Sequence, residues 1–548
     1  MSSKDYIAEG IRQLSDVTTY QKLDKDLTDQ HLQLVKQTID TLDEDKKVKR
    51  NLIPTNASCP NMYFLPKIHK PNNPGRPIVS GCSCPTVEIS KYLDFHLRPL
   101  VTRLPSYLQD TTDFLNHIDN LNKSHAPLPE RTILVTADVK SLYTNIPHNE
   151  GIQACKNALN SRQHLHPPTD QLIRLLELVL TLNNFKFQEQ HYIQIQGTAM
   201  GTPLAPSYAN IFMGELETDI LTNSRHAIIA GSWRRYIDDI QFMWSGSPRL
   251  LAKFQDTINT RHSTIKYTFE SSNSEVCFLD TLLQLKNGTL HTELYNKPTD
   301  SHSYLLPTSC HPKHTFRSIP FSQATRVRRI CSGDDSTKYH LTKLETHLTR
   351  RQYDTTLVTE QIQKASIIPR EQLLIKNKKQ TSTNIHFSVT YTPGTSTIPS
   401  IIHKHYPLIE QSDTLKTIFH RAPMTSFRRN RSLRDLLVNA KSPQMETENH
   451  NRNNQTNNHN TSDTTCTFIT DMSTLELGFY KCKAKKCSLH YHIQETTTFT
   501  SSVTGQKFNI RDHINCKSSW VIYLLTCTQC NMQYVGKTET TLYTLDQK

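Results

Sequence analysis

The chain has 548 residues, more than one hydrophobic core usually serves, so two to four domains are expected. Its 63 Lys+Arg against 50 Asp+Glu give a net charge of +13 and a pI near 9.0, which favours a polyanionic partner such as nucleic acid over an acidic-protein or small-molecule one. The N-terminus "MSSKDYIAEG" is charged from Lys4 on, and the longest apolar run, "LLELVLTL" at 175–182, is too short to cross a bilayer; a soluble, intracellular protein is expected, with no membrane partner, and its thirteen cysteines are then metal candidates before they are a disulfide framework.

Residues 1–50 carry charge and leucine at helical spacing and are read as a helical N-terminal extension. Pro-rich loops then punctuate short strands such as "RPIVSG" and "TILVTADV" through 51–150. Helical spacing returns in "TDQLIRLLELVLTL", 169–182, and loops, one helix and strands follow to 297. From 298 to 441 the chain is expected to be a basic helical region, densest in "ATRVRRICSGDDSTKYHLTKLETHLTRRQY". The stretch 442–465 is Asn-rich with almost no large apolar residue and reads as a disordered linker, and 466–548 is Cys-rich. No repeat of fixed period is visible. The fold class expected is α+β.

In "WRRYIDDIQFMW", 233–244, two adjacent aspartates interrupt an aromatic and β-branched run. Neighbouring side chains on a strand point to opposite faces, so carboxylates that converge on one ion belong at a hairpin tip, where the alternation breaks. Like charges that close need a cation, and hard divalent ions such as Mg²⁺ take carboxylate oxygens. A further carboxylate is available at Asp138, at the end of the apolar run "TILVTADV", although alone it serves equally well as a helix cap. Tyr143 lies five residues on, where the chain can turn back beside the metal. Between the acidic segments lies "QGTAMGTPLAPSYANIFMGELE", 196–217, which concentrates Gly197, Gly201 and Gly214 in a chain with only 15 glycines. Such a loop lets backbone approach a ligand closely, and Tyr208, Phe212, Leu216 and Ile220 form the apolar stripe of the helix after it.

This order, a strand-borne Asp, a Gln-Gly loop with its helix, then Tyr-Ile-Asp-Asp in a hairpin, resembles the reverse transcriptase family. The resemblance implies a right-hand polymerase of fingers, a palm with an antiparallel sheet (together 51–297) and a helical thumb. It implies that Asp138, Asp238 and Asp239 are catalytic and hold two Mg²⁺ ions, which Mn²⁺ can replace, with the Val139 carbonyl completing the shell. Tyr143 matches the residue that screens the sugar 2′ substituent, and Gln196 and Gly197 the loop under the nascent base pair. In "FLPKIHKPNNPGRPIVSG", 64–81, Arg76 would contact the triphosphate and Lys67 or Lys70 the template or nucleotide; Lys266 is a candidate general acid toward pyrophosphate. "CFLDTLL" falls at the primer grip. More narrowly, "LYTNIP", "RRYIDDI", "LYNKPTDSHSYL" and "HPKHTFRSIPFSQATRVRRIC" run in the order of the Penelope-like retroelement polymerases. The partners implied are an RNA template, a DNA primer, dNTPs and chromosomal target DNA, with nuclear work after cytoplasmic synthesis. A non-catalytic nucleic-acid-binding remnant of such an element is the alternative.

At the C-terminus, "VIYLL" and "YVGKT" resemble the first hairpin of GIY-YIG nucleases, with Tyr523 and Tyr534 as the motif tyrosines of a small, partial α/β nuclease-like domain. That family's catalytic Arg follows on a helix, yet no Arg follows Arg511, so cleavage by this polypeptide is not expected. The family's N-terminal extension is expected to be incomplete as well. Cys482 and Cys487, near His490 and His492, and the Cys527–Cys530 turn are read as two halves of one Zn²⁺ site, with free thiols as the alternative.

Overall fold

The computed structural model describes residues 2–432 apart from 69, 224–227 and 377–384, and residues 477–542 apart from 483–486, 504, 511, 519–520, 531 and 539–540. It forms two units, residues 1–446 and 447–548. The linker expected at 442–465 lies outside the described residues, as does most of the basic stretch 426–441, whose first residues end the strand Met424–Arg428.

In the first unit the N-terminal segment packs onto the strands at 62–66 and 184–194. It is helical over Ser3–Leu14, Thr28–Asp40 and Lys46–Leu52, but Tyr20–Leu23 is a strand that pairs antiparallel with Gln190–Gln194, itself paired with Asn184–Phe187. Leu14 and Tyr20 share one apolar cluster with Met62, Phe64, Phe185 and Phe187. Asn184 pins the segment: its side-chain oxygen meets His31 Nδ1 at 2.8 Å while its amide donates to Asp26 and Thr28. Asp26, Cys59 and His191 gather around the same network. The strands Met62–Pro66 and Gly75–Val79 pair antiparallel, with Leu65 opposite Arg76.

The palm is a four-stranded antiparallel sheet in the spatial order Arg234–Tyr236, Asp239–Trp244, Ile133–Val139, Tyr267–Ser272. Strand alternation sorts its core. Ile133, Val135, Ala137 and Val139, with Ile240, Phe242 and Trp244, join the large apolar cluster that also takes residues from the helices Val87–Val101, His148–Asn160, Thr169–Thr181, Ala205–Asn223 and Pro248–Arg261. Leu134 and Met243 point the other way, into a second cluster with Phe114, Ile118, Val276, Phe278 and Leu283. The strands Glu275–Phe278, Thr281–Lys286 and Thr289–Leu294 form the sheet that supplies this cluster. The architecture is the mixed helix and sheet expected of a polymerase.

The basic region is helical over Lys313–Ile330, Asp334–Arg350 and Thr355–Ser366, packed around Ala324, Leu344, Leu348, Tyr353, Val358 and Ala365. It is braced on the palm by Arg326, which donates to Asp280 at 2.8 Å, and by Arg370, which donates to Asp119 at 2.8 Å. Asp280 also accepts from Thr111, so the acidic residue of "CFLDTLL" ties three elements together.

The described residues of the second unit form short strands and one 3₁₀ turn, Ser488–Tyr491. Gly478–Tyr480 pairs parallel with His513–Asn515, Thr498–Thr500 antiparallel with Lys507–Asn509, and Val521–Thr526 antiparallel with Gln533–Thr538. Among the described residues no helix is long and apolar enough to cross a membrane.

Candidate active site

The strand Ile133–Val139 is buried along most of its length and ends in an exposed Asp138. Asp138 lies directly opposite Asp239 on one side and Thr268 on the other. Directly opposed residues of an antiparallel pair project to the same face, so Asp138 and Asp239 share one side of the sheet. Tyr236 pairs with Asp239, which leaves Ile237 and Asp238 as a two-residue turn. Ile237 sits there at φ 58°, a conformation that a β-branched residue adopts only under strain and that a hairpin of this length requires at its first turn position.

A buried ion pair holds that turn. Arg235 is fully buried and uses every N–H of its guanidinium: two on Glu217 (2.8 and 3.1 Å), two on Asn210 (2.6 and 3.2 Å) and one on the carbonyl of Ile237 (3.1 Å). Glu217 accepts further bonds from Trp233 Nε1 and Ser106 Oγ. From the other side the Val139 N–H donates to the Asp238 carbonyl at 3.0 Å. The tip that carries the paired carboxylates is thus fixed from behind by a charge network within the fold.

The acidic cluster is electrostatically uncomfortable by itself. Burial, then the charges of Asp238 and Asp138, push Asp239 up to about 6, while Lys297 and Arg76 oppose the rise. Asp238 is raised as well, first by burial and also by Asp138, against a backbone hydrogen bond, Arg76 and Lys67. Lys67 is shifted down by burial and by Lys70 and Arg76, and is pulled back by Asp138 and Asp238. Arg76 and Lys67 therefore act on the carboxylates of Asp238 and Asp239. Lys297 is a third cation that sequence reasoning missed.

Tyr143 belongs to the same neighbourhood: burial, then Asp238 and Tyr236, push its phenol up to about 12. The Gln-Gly loop clasps the short helix Leu142–Asn145 that carries it. Thr198 N–H donates to the Tyr143 carbonyl at 2.7 Å, Gly197 N–H donates to the Ile146 carbonyl at 3.1 Å, and His148 Nε2 donates to the Gly197 carbonyl at 2.7 Å. Gly197 has φ +72°, and a Cβ there would lie 2.2 Å from the Tyr143 carbonyl oxygen, so only glycine fits. The carbonyl of Gln196 accepts from Gln194 Nε2 at 2.8 Å. Across the loop the Val79 N–H donates to the Met200 carbonyl at 2.9 Å, linking the loop to the strand that carries Arg76. A cavity of about 250 Å³ opens beside the carboxylates, lined by Asp138, Asp239, Thr268, Glu270, Cys277 and Leu279. Cys277, Phe278 and Leu279, from the segment read as the primer grip, are among its lining residues.

Two sequence expectations need correction. Lys266 is not brought to the aspartates: its ammonium donates to the carbonyls of Asn259 and His262 at 2.6 and 2.8 Å, at the C-terminal end of Pro248–Arg261, where a helix dipole favours a cation. The zinc halves do not join either. Cys482 and Cys487 gather with His490 and Cys516, whereas Cys527 and Cys530 lie exposed in the turn between Val521–Thr526 and Gln533–Thr538. Tyr523 and Tyr534 lie on facing strands of that hairpin, where the Leu525–Tyr534 pairing sets both on one face; a Cβ on Gly536 would fall 2.5 Å from the Tyr523 ring.

Strand-borne and hairpin-borne carboxylates opposed by fingers cations define the palm of a nucleic-acid polymerase. Residues 68–301 match the family described as "Reverse transcriptase (RNA-dependent DNA polymerase)", so this stretch, which contains all three aspartates, is similar to that family. Residues 303–363, the basic helices, match "Animal helix-turn-helix domain". No curated protein matches the chain. Among solved structures it is similar to apo telomerase from Candida tropicalis truncated from the C-terminal domain (14% identity, 43% of this chain and 55% of that one, TM-score 0.33). It is also similar to telomerase from Candida albicans with a TWJ fragment of telomeric RNA (10% identity, 73% and 72%, TM-score 0.42) and to the RNA-dependent RNA polymerase of a human picobirnavirus (11% identity, 67% and 79%, TM-score 0.42). The chain spans 55% of the length of the first of these.

Proposed function

We propose that this chain copies an RNA template into DNA for a Penelope-like retroelement, extending a primer 3′-hydroxyl with dNTPs. The observation that carries this reading is the register that sets Asp138 opposite Asp239, with Asp238 at the adjoining tip and Arg76 and Lys67 acting on the same charges. An all-oxygen, multiply anionic donor set of this kind suits Mg²⁺. Asp138, Asp238 and Asp239, with the Val139 carbonyl, would hold two such ions, which when bound supply the charge that activates the primer hydroxyl and stabilises the departing pyrophosphate.

The chain's own groups do the positioning. Arg76 and Lys67 bind the triphosphate from the fingers side and neutralise charge that builds up on it. Tyr143, half-buried and near enough to Asp238 to feel its charge, closes the space that a ribose 2′-hydroxyl would need. Gln196 and Gly197 support the nascent pair on a loop that a side chain would displace. The helices of 313–366 hold the duplex through phosphate contacts, with Lys and Arg supplying affinity that falls with salt. In the second unit the hairpin with Tyr523 and Tyr534 on one face fits the first hairpin of a GIY-YIG-like domain, with no cleavage assigned to this polypeptide; chromosomal target DNA and work in the nucleus belong to the Penelope-like reading.

Primer extension on an RNA template with Mg²⁺ and dNTPs tests the reading. The wild-type chain is expected to extend the primer, and Asp138→Asn and Asp238→Asn to abolish extension while template binding persists. A wild-type chain that binds template and extends nothing would favour the non-catalytic remnant.

A further inference from the structure

Among its described residues the second unit has a small apolar core. Its paired strands are three to six residues long, and the described residues bury Cys487, Ile493 and Cys516 at their centre with Phe479, Cys482 and Leu489 around them. Domains this thin in apolar residues usually need a staple.

The backbone brings sulfur to that centre in a way spacing along the chain does not reveal. Gly478–Tyr480 and His513–Asn515 run parallel, with Tyr480 opposite Asn515. Parallel strands leave a sheet at the same end, so Cys482 and Cys516, each just beyond its strand, emerge side by side although they are 34 residues apart. Cys487 then opens the short 3₁₀ turn Ser488–Tyr491, which returns His490 toward them. The ligand atoms of all four lie within 4.8 Å of one another, and Cys482 Sγ is 3.3 Å from His490 Nε2. Around a tetrahedral zinc ion, bond lengths of about 2.3 Å to sulfur and about 2.0–2.1 Å to nitrogen place S and N about 3.6 Å apart and two sulfurs about 3.8 Å apart. The Cys482 N–H also donates to Cys516 Sγ at 3.4 Å, the kind of outer contact that steadies a coordinating thiolate.

We propose that Cys482, Cys487, His490 and Cys516 form a closed, four-ligand structural zinc site, and that Cys527 and Cys530 take no part in it. Three thiolates and one imidazole select Zn²⁺ over hard cations such as Mg²⁺. A full set of four protein ligands leaves no open position for substrate, so the ion holds the fold and does no chemistry. Binding expels the thiol protons to solvent and couples the folding of this unit to the metal. The site is independent of the polymerase reading, since all its residues lie in the second unit.

The test is metal analysis of the purified full chain after dialysis. One zinc per chain is expected in the wild type and in Cys527→Ser/Cys530→Ser, with Cys516→Ser and Cys482→Ser losing it. To separate loss of metal from loss of fold, the wild type and the Cys527→Ser/Cys530→Ser variant are also reconstituted with Co²⁺. Both should give the same tetrahedral d–d bands and strong thiolate-to-cobalt charge transfer. Sub-stoichiometric zinc in the wild type, retention of zinc by Cys516→Ser, or loss of zinc or of the cobalt spectrum on removing Cys527 and Cys530 would overturn the proposal.

Discussion

Glu217→Gln isolates the charge network behind the carboxylate tip. The substitution keeps the shape of the side chain but leaves the guanidinium of Arg235, which is 0% exposed, without its counter-charge. Removing one partner of a buried pair costs about 3–5 kcal/mol, because the surviving charge stays desolvated. An unfolding entropy of about 2.1 cal/mol/K per residue, taken over the 446 residues of the first unit, converts this to a fall in Tm of about 3–5 °C. Differential scanning calorimetry of the full chain reads the shift. The double variant Glu217→Leu/Arg235→Met should recover much of it, since an apolar pair of similar volume avoids burying a lone charge. Primer extension should fall in both, because the bond from Arg235 to the Ile237 carbonyl weakens or is lost and the strained turn relaxes. A Glu217→Gln chain that melts within 1 °C of the wild type, on the scale of about 0.94 kcal/mol per degree set by that entropy, would refute this account of how the tip is held.

Gly197→Ala should lower kcat/KM by roughly 100-fold in primer extension, the scale of an ångström displacement at a reacting site, since its Cβ would overlap the Tyr143 carbonyl oxygen; unchanged kinetics would show that the loop yields freely. Tyr143→Ala should narrow the preference for dNTPs over NTPs more than it slows dNTP incorporation, as measured by single-nucleotide extension with each. Asp239 carries a pH signature. Its folded value of about 6 stands above the ordinary 3.8, so between these the folded chain binds more protons than the unfolded one and stability falls as pH rises. In EDTA, Asp239→Asn should therefore melt higher than the wild type above pH 6 and alike below pH 4; equal Tm differences at all pH values would contradict the assignment. Template affinity should fall steeply with salt, and a flat dependence would count against phosphate contacts as its source.

Some of this was readable from the chain and some was not, for physical reasons. The tip was legible because two charges inside an apolar strand break the two-residue alternation, and the Gln-Gly loop because glycine is scarce elsewhere. Strand pairing between distant segments was not legible: Tyr20–Leu23 is too short and too polar to announce its place against Gln190–Gln194, and nothing along the chain gives the parallel register that brings Cys516 to Cys482. The Cys527–Cys530 spacing looked like a metal half-site because a two-residue gap suits a tight turn, and a tight turn is what it forms. Lys266 was misread because helix-end carbonyls compete for an ammonium as well as a phosphate does. The Arg235–Glu217 pair leaves no mark in sequence, since each residue alone looks like an ordinary surface charge.

The central claim is that the aspartates at 138, 238 and 239 act together on divalent cations. Mn²⁺ binding followed by electron paramagnetic resonance, on the full chain with primer, RNA template and a dNTP, tests it most directly. Two bound Mn²⁺ ions per chain in the wild type, and loss of tight binding in both Asp138→Asn and Asp238→Asn, are predicted; undiminished Mn²⁺ binding in either variant would contradict it.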